Sequence, residues 1–227
     1  MGTVDCGGSR AQRARAAAGR HAGIMGGPER LRPEVGMRVM NPFDVETLPV
    51  GPWRNGGGDT REIGSQSPPH AAEADFDWRA SIATIAADGP FSAFPGVDRT
   101  ITLLAGDGVH LVGDDGLDHR LDRLGEPFAF SGDTALRATL LGGATRVLNI
   151  MTRRGRWAAR VHRVHAPVRP PAGHAGVWYV LSAPADDAPG AGPRAGQGVW
   201  WASGAAEATA PLATGAVALW ADLRPPG

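Results

Sequence analysis

FDWRASIATI at residues 76–85, stopped by Asp88-Gly89-Pro90, is the stretch that decides the fold. It is β-branched and aromatic, which favours an extended chain over a helix. Successive side chains of a strand point to opposite faces. Arg79 and Ser81 therefore share one face, and Trp78, Ala80 and Ile82 the other. The same grammar continues on the C-terminal side. Arg99–Leu104 leads into a Gly106-Asp107-Gly108 hairpin signal and Val109–Val112, and Asp114-Asp115-Gly116 turns into Leu117–Leu121. Phe128-Ala129-Phe130 ends in Ser131-Gly132-Asp133, and Ala135–Leu141 is separated by Gly142-Gly143 from Thr145–Met151. Short strands at roughly 8–12-residue spacing with turn chemistry between them predict an all-β barrel or sandwich.

Beyond residue 157 the pattern is looser. Gly176–Ser182, Val199–Trp201 and Ala216–Trp220 read as strands, and residues 183–198 as a Pro/Gly/Ala-rich loop. Two similar β-modules are expected, with a boundary near residues 155–170. Residues 1–36 are Arg-rich, acid-poor and aperiodic, and read as a disordered extension or an early-assigned start, with Met37 or Met40 as the natural one.

Composition excludes several classes. The chain has 33 Gly and 19 Pro in 227 residues with 20% charged, a balance of short strands and turns. Its 23 basic residues balance 23 acidic ones, so no positive field for nucleic acid exists. No lysine is present, which excludes a Schiff-base lysine. The lone Cys6 excludes a disulfide framework and a cysteine zinc site. No apolar run approaches the ~20 residues of a membrane span. A cytoplasmic protein is expected, with a homodimer left open as its assembly state. Arg153, Arg154, Arg156 and Arg160 form a basic cluster read as a solvated strand end.

The run Trp53-Arg54-Asn55-Gly56-Gly57-Gly58-Asp59-Thr60-Arg61-Glu62 carries the functional signal. Three glycines need either a turn with positive φ or a close approach of another group. Their flanks are side chains that hydrogen-bond carboxylates or amides, so the run is a ligand-facing bend or a structural corner.

Four pieces in order resemble the HutD/Ves family of the cupin superfamily. They are PWRNGGGDTREI at 52–63, FDWRASIATIAADGPFSAFPGVDR at 76–99, the Phe130–Asp133 turn, and TRVLNIMTRRG at 145–155. The resemblance covers residues 41–157. It implies a bicupin of two small antiparallel, jelly-roll-like β-barrels, one at 37–157 and a shorter one at 158–227. It also implies a link to histidine utilisation and a metabolite-binding or regulatory role. At Val147 the family pattern commonly has an acidic residue, a departure that bears on the ligand.

No His-x-His pair occurs among the seven histidines, and no metal or other cofactor is expected. An arginine fork suits carboxylates. The candidate ligand-binding set is Trp53, Arg54, Asn55, Gly56, Gly57, Thr60, Arg61, Glu62, Arg79, Ser81, Phe91, Ser92, Asn149 and Met151. Arg61 and Arg79 have a structural alternative, pairing with Glu62, Asp77 or Asp98. Phe91 and Phe94 read as loop anchors, and Asp98-Arg99 as an ion pair ordering that loop. An inward Asn149 needs a partner, either a ligand or the glycine-rich loop. The leading expectation is a metal-independent protein binding a small anionic metabolite of the urocanate or N-formylglutamate type. The alternatives are an acid–base isomerase or hydrolase with Glu62 as base, and a scaffold whose barrel is filled.

Overall fold

The computed structural model describes residues 40–69, 75–184, 192–203 and 209–225. The expected extension at 1–36, together with His21, His70 and residues 185–191 of the expected loop, lies outside them. Fifteen strands form among the described residues, in the order β1 (Asn41–Asp44), β2 (Gly51–Pro52), β3 (Gly58–Gln66), β4 (Trp78–Ile85) and β5 (Gly89–Phe91). Next come β6 (Val97–Ala105), β7 (Val109–Gly113), β8 (Asp118–Leu121), β9 (Pro127–Ser131) and β10 (Leu136–Leu140). The last are β11 (Thr145–Arg153), β12 (Ala158–Val164), β13 (Ala175–Ser182), β14 (Gln197–Trp201) and β15 (Val217–Arg224). The all-β expectation holds.

The strands make three antiparallel sheets. The central one has the order β2-β3-β4-β11-β6-β9, and β5-β10-β7-β8 and β1-β14-β13-β15-β12 are the others. One face of the central sheet carries Trp78, Ala80, Ile82, Leu148 and Ile150 into a core shared with Tyr179, Leu219 and Leu223 of the five-stranded sheet. The opposite face carries Ala83, Ile85, Ile101, Leu103 and Val147 into a second core with Leu111, Leu121 and Leu136 of the four-stranded sheet. The central sheet is therefore buried on both sides, as its long apolar runs require.

Strand pairing and packing cross residue 157. β1, assigned by sequence to the first module, is hydrogen-bonded to β14, with Phe43 opposite Gly198. Gln197 donates to Asp44 at 3.1 Å, tying the two strands by side chains as well. Residues from both sides of the boundary share one core. The two parts also meet at Trp200, whose ring meets Trp78 edge-on at 6.0 Å. Gly64 lies directly beneath it, and a Cβ there would come within 2.7 Å of the indole.

The glycine triple combines two of the anticipated reasons. Gly56 has φ of 70°, the left-handed turn. Gly58 lies against β4, where a Cβ would collide with the Thr84 carbonyl oxygen. Gly57 meets only ordinary contacts with Asn55 from 3.4 Å outward. Gly58→Ala should therefore lower unfolding free energy by about 2–3 kcal/mol, with Gly57→Ala staying within about 0.5 kcal/mol. Urea denaturation of the two variants checks this, and equal effects would contradict the packing argument.

Candidate functional site

Strand register assembles the site. β11 runs between β4 and β6, pairing Met151 with both Arg79 and Arg99. The next row on the same face is Ser81, Asn149 and Ile101, and the one after is Ala83, Val147 and Leu103. The polar rows thus pass directly into the apolar floor of the second core. At the polar end lies a cavity of about 470 Å³, lined by Pro52, Trp53, Arg54, Asn55, Thr60, Arg79, Ser81, Ala83, Pro90, Phe91, Ser92, Phe94, Arg99, Asn149 and Met151.

Ten of the fourteen sequence-predicted residues line this cavity, and four do not: Gly56, Gly57, Arg61 and Glu62. The glycines shape the hairpin, with Asn55 Oδ1 accepting from the Gly57 amide at 3.0 Å. Arg61 pairs across with Ile82 on the opposite face and donates to the Val45 carbonyl at 2.9 Å. Glu62 makes an ion pair with Arg79 at 2.8 Å and accepts from Ser65 at 2.8 Å. Its side chain is 44% exposed, outside the cavity wall.

Arg99 is the residue that sequence reasoning missed. It is 6% exposed and forms no ion pair with Asp98, which instead binds Arg154 at 2.8 Å. Neighbours on a strand point to opposite faces, so the two side chains diverge. Arg99 donates from Nε (3.4 Å) and Nη2 (3.1 Å) to Asn149 Oδ1, and from Nη1 to the Ser92 carbonyl (3.1 Å). Its guanidinium lies over the rings of Phe91, Phe94 and Phe130 at 4.6, 5.2 and 5.2 Å. Among the described residues it has no carboxylate partner. Burial alone pushes its pKa down to about 10, so it stays charged at neutral pH.

Asn149 thus bonds to Arg99 and Ser81 and not to the glycine-rich loop. Its Nδ2 donates to Ser81 Oγ at 3.5 Å. Trp53 Nε1 donates to Thr60 Oγ1 at 2.8 Å, and its ring meets Phe91 edge-on at 6.5 Å. Val147 is fully buried in the second core, so no acidic group stands at that position.

The loop carrying Ser92 and Phe94 is pinned from outside. The Phe94 amide donates to the Gly132 carbonyl at 2.6 Å, and the Gly96 amide to Asp133 Oδ1 at 2.6 Å. Arg154 bridges Asp133 (2.7 Å) and Asp98, and Arg153 donates to the Pro95 carbonyl at 3.1 Å. Arg156 pairs with Asp75 and Asp77 at 3.0 Å each. The expected solvated strand end is, at Arg153, Arg154 and Arg156, an ion-paired brace for the cavity wall. Among the described residues no group of three metal-ligating side chains occurs, and no helix is long and apolar enough to cross a membrane.

The chain has relatives in sequence and in fold. The HutD family model matches residues 45–216. Protein Ves of Citrobacter koseri is 47% identical over 144 residues, covering 63% of this chain and 73% of that one. Protein Ves of Escherichia fergusonii is 43% identical over the same length and shares. The structure of HutD from Pseudomonas fluorescens SBW25 (formate condition) superposes with a TM-score of 0.67 at 28% identity, covering 83% of this chain and 100% of that one. A conserved protein of unknown function from Pseudomonas aeruginosa PAO1 gives 0.66 at 26%, with 82% and 99% covered. YhhW from Escherichia coli, at 11% identity and a TM-score of 0.53, shares the fold alone.

The brace sets a pH dependence. The Gly96 amide first, then Arg154 and Ser131, hold Asp133 at about 2, below its ordinary 3.8. A depressed carboxylate pKa stabilises the fold above the ordinary value, and that contribution disappears as pH falls through the folded one. The melting temperature of the wild type should therefore exceed that of Asp133→Asn above pH about 4, and the two should converge toward pH about 2. A difference independent of pH would exclude the carboxylate as its source.

Proposed function

This chain belongs to the HutD family, and on that premise we propose that it is a binding protein for a small carboxylated metabolite, held in the cavity of the central sheet. The observation that carries this reading is Arg99, a buried guanidinium in the cavity wall whose charge meets no carboxylate among the described residues. Of its five N–H groups, three are used, and two are left for a ligand. Arg54 adds positive charge to a wall that contains no Asp or Glu, and Arg79 lines it with its own charge paired to Glu62 outside the lining. Trp53, Phe91, Phe94 and Met151 supply apolar surface for the body of the molecule, in a cavity of ordinary ligand-binding size.

Urocanate and N-formylglutamate, each a carboxylate on a compact polar or unsaturated body, fit this chemistry. They would connect the protein to histidine utilisation in the cytoplasm. The filled-barrel scaffold reading meets an open cavity instead, and the Glu62 enzyme reading meets a carboxylate engaged by Arg79 and Ser65 outside the lining. The C-terminal sheet fits a shorter second cupin-like barrel. It borders a separate cavity of about 510 Å³ lined by Phe43, Trp178 and Val199 among others.

A thermal-shift screen of histidine, urocanate, formiminoglutamate, N-formylglutamate, glutamate and formate tests the proposal. A ligand at about 100 times its Kd stabilises the fold by about 2.7 kcal/mol, which is a shift of several degrees at this chain length. The shift should persist in the presence of a metal chelator and vanish in Arg99→Gln. No shift with any carboxylate would overturn the binding reading.

A further inference from the structure

The hydrogen bonds around the cavity have a direction that selects the protonation state of the ligand. An arginine has donors only. Because Arg99 places two N–H groups on the Asn149 side chain, the amide oxygen must face Arg99, and Nδ2 must face Ser81. The Ser81 oxygen then accepts a hydrogen bond, and its own hydrogen is unclaimed. Thr60 repeats the arrangement independently. Indole is likewise donor-only, so Trp53 Nε1 fixes Thr60 Oγ1 as acceptor and leaves the hydroxyl hydrogen free. Both hydroxyls lie in the cavity wall beside three arginines.

We propose that Ser81 and Thr60 are specificity-determining donors, and that the site takes ligand groups bearing acceptors only, an ionised carboxylate or equivalent oxyanion, in preference to the isosteric carboxamide or the protonated acid. This rests on the binding reading above and adds its chemical selectivity. Ser81 and Thr60 each have one acceptor position taken and a hydrogen to give, and Arg99 can only donate. An amide meets these donors with a single neutral oxygen, and its N–H groups find no partner in Arg99. A carboxylate offers two charged oxygens to the same donors.

The test is calorimetry at neutral pH with three matched pairs: formate and formamide, benzoate and benzamide, glutarate and glutaramide. The wild type should bind the carboxylate of a pair at least about tenfold more tightly than the amide. Ser81→Ala and Thr60→Val should each weaken the carboxylate several-fold and change the amide little, so the ratio falls. Ser81→Thr, which keeps the hydroxyl, should restore it. If carboxylates bind through Arg99, as shown by loss in Arg99→Gln, but the double variant keeps the wild-type ratio, the selectivity proposal fails and the binding reading stands. If no carboxylate of the panel binds, both fail. Circular dichroism of each variant confirms that the fold is retained.

Discussion

A strand offers its side chains only two directions, and the central sheet of this protein is covered along most of its length on both. Each residue of β4, β6 and β11 is therefore committed to one of two faces by its position alone. The face toward the five-stranded sheet is apolar along β4 and β11 in its central rows, with Thr100 and Thr102 of β6 buried beside them. The other face is apolar only as far as Ala83, Val147 and Leu103. There the four-stranded sheet stops covering it, and the rows containing Ser81, Asn149, Arg79 and Arg99 begin. Cavity and core are two ends of one surface, so the site is built on the same packed sheet as the core.

The second constraint is electrostatic. Removing a guanidinium from water costs several kcal/mol, and a structural arginine normally recovers it from a carboxylate. Arg99 recovers it from neutral groups: an amide oxygen taken twice, a carbonyl and three phenyl rings. Charged-donor hydrogen bonds contribute about 1.5–3 kcal/mol each, and cation–π contacts about 0.5–1 kcal/mol. That is enough to keep the charge buried without neutralising it. The field of Arg99 consequently remains directed into the cavity, where a carboxylate would have cancelled it.

Much of this was legible in the sequence, and the failures have identifiable causes. Period-two alternation placed Arg79 and Ser81 on one face and Trp78 on the other, as found. The same rule applied along β3 would have separated Arg61 from Thr60 and Glu62, and applied to Asp98-Arg99 would have forbidden their pairing. Arg99 was detectable as the one charge on a face continued by Ile101 and Leu103. By contrast, nothing local marks the pairing of Asn41–Asp44 with β14. That contact spans more than 150 residues, and a four-residue strand beginning Asn-Pro carries no record of its partner. The double role of Arg154 is equally non-local, since Asp98 and Asp133 lie far from it in the chain.

Gly64 and Trp200 have a consequence for how such chains can change. The indole occupies the space where a side chain at position 64 would begin, so the two positions behave as a single volume divided between two segments. A substitution that enlarges one is tolerated only after the other has been reduced. Drift at these sites is therefore ordered in time, and any descendant that loses the tryptophan first gains a freedom at position 64 that its ancestor lacked. The seam between the two parts of the molecule thus sets an order in which its residues can change.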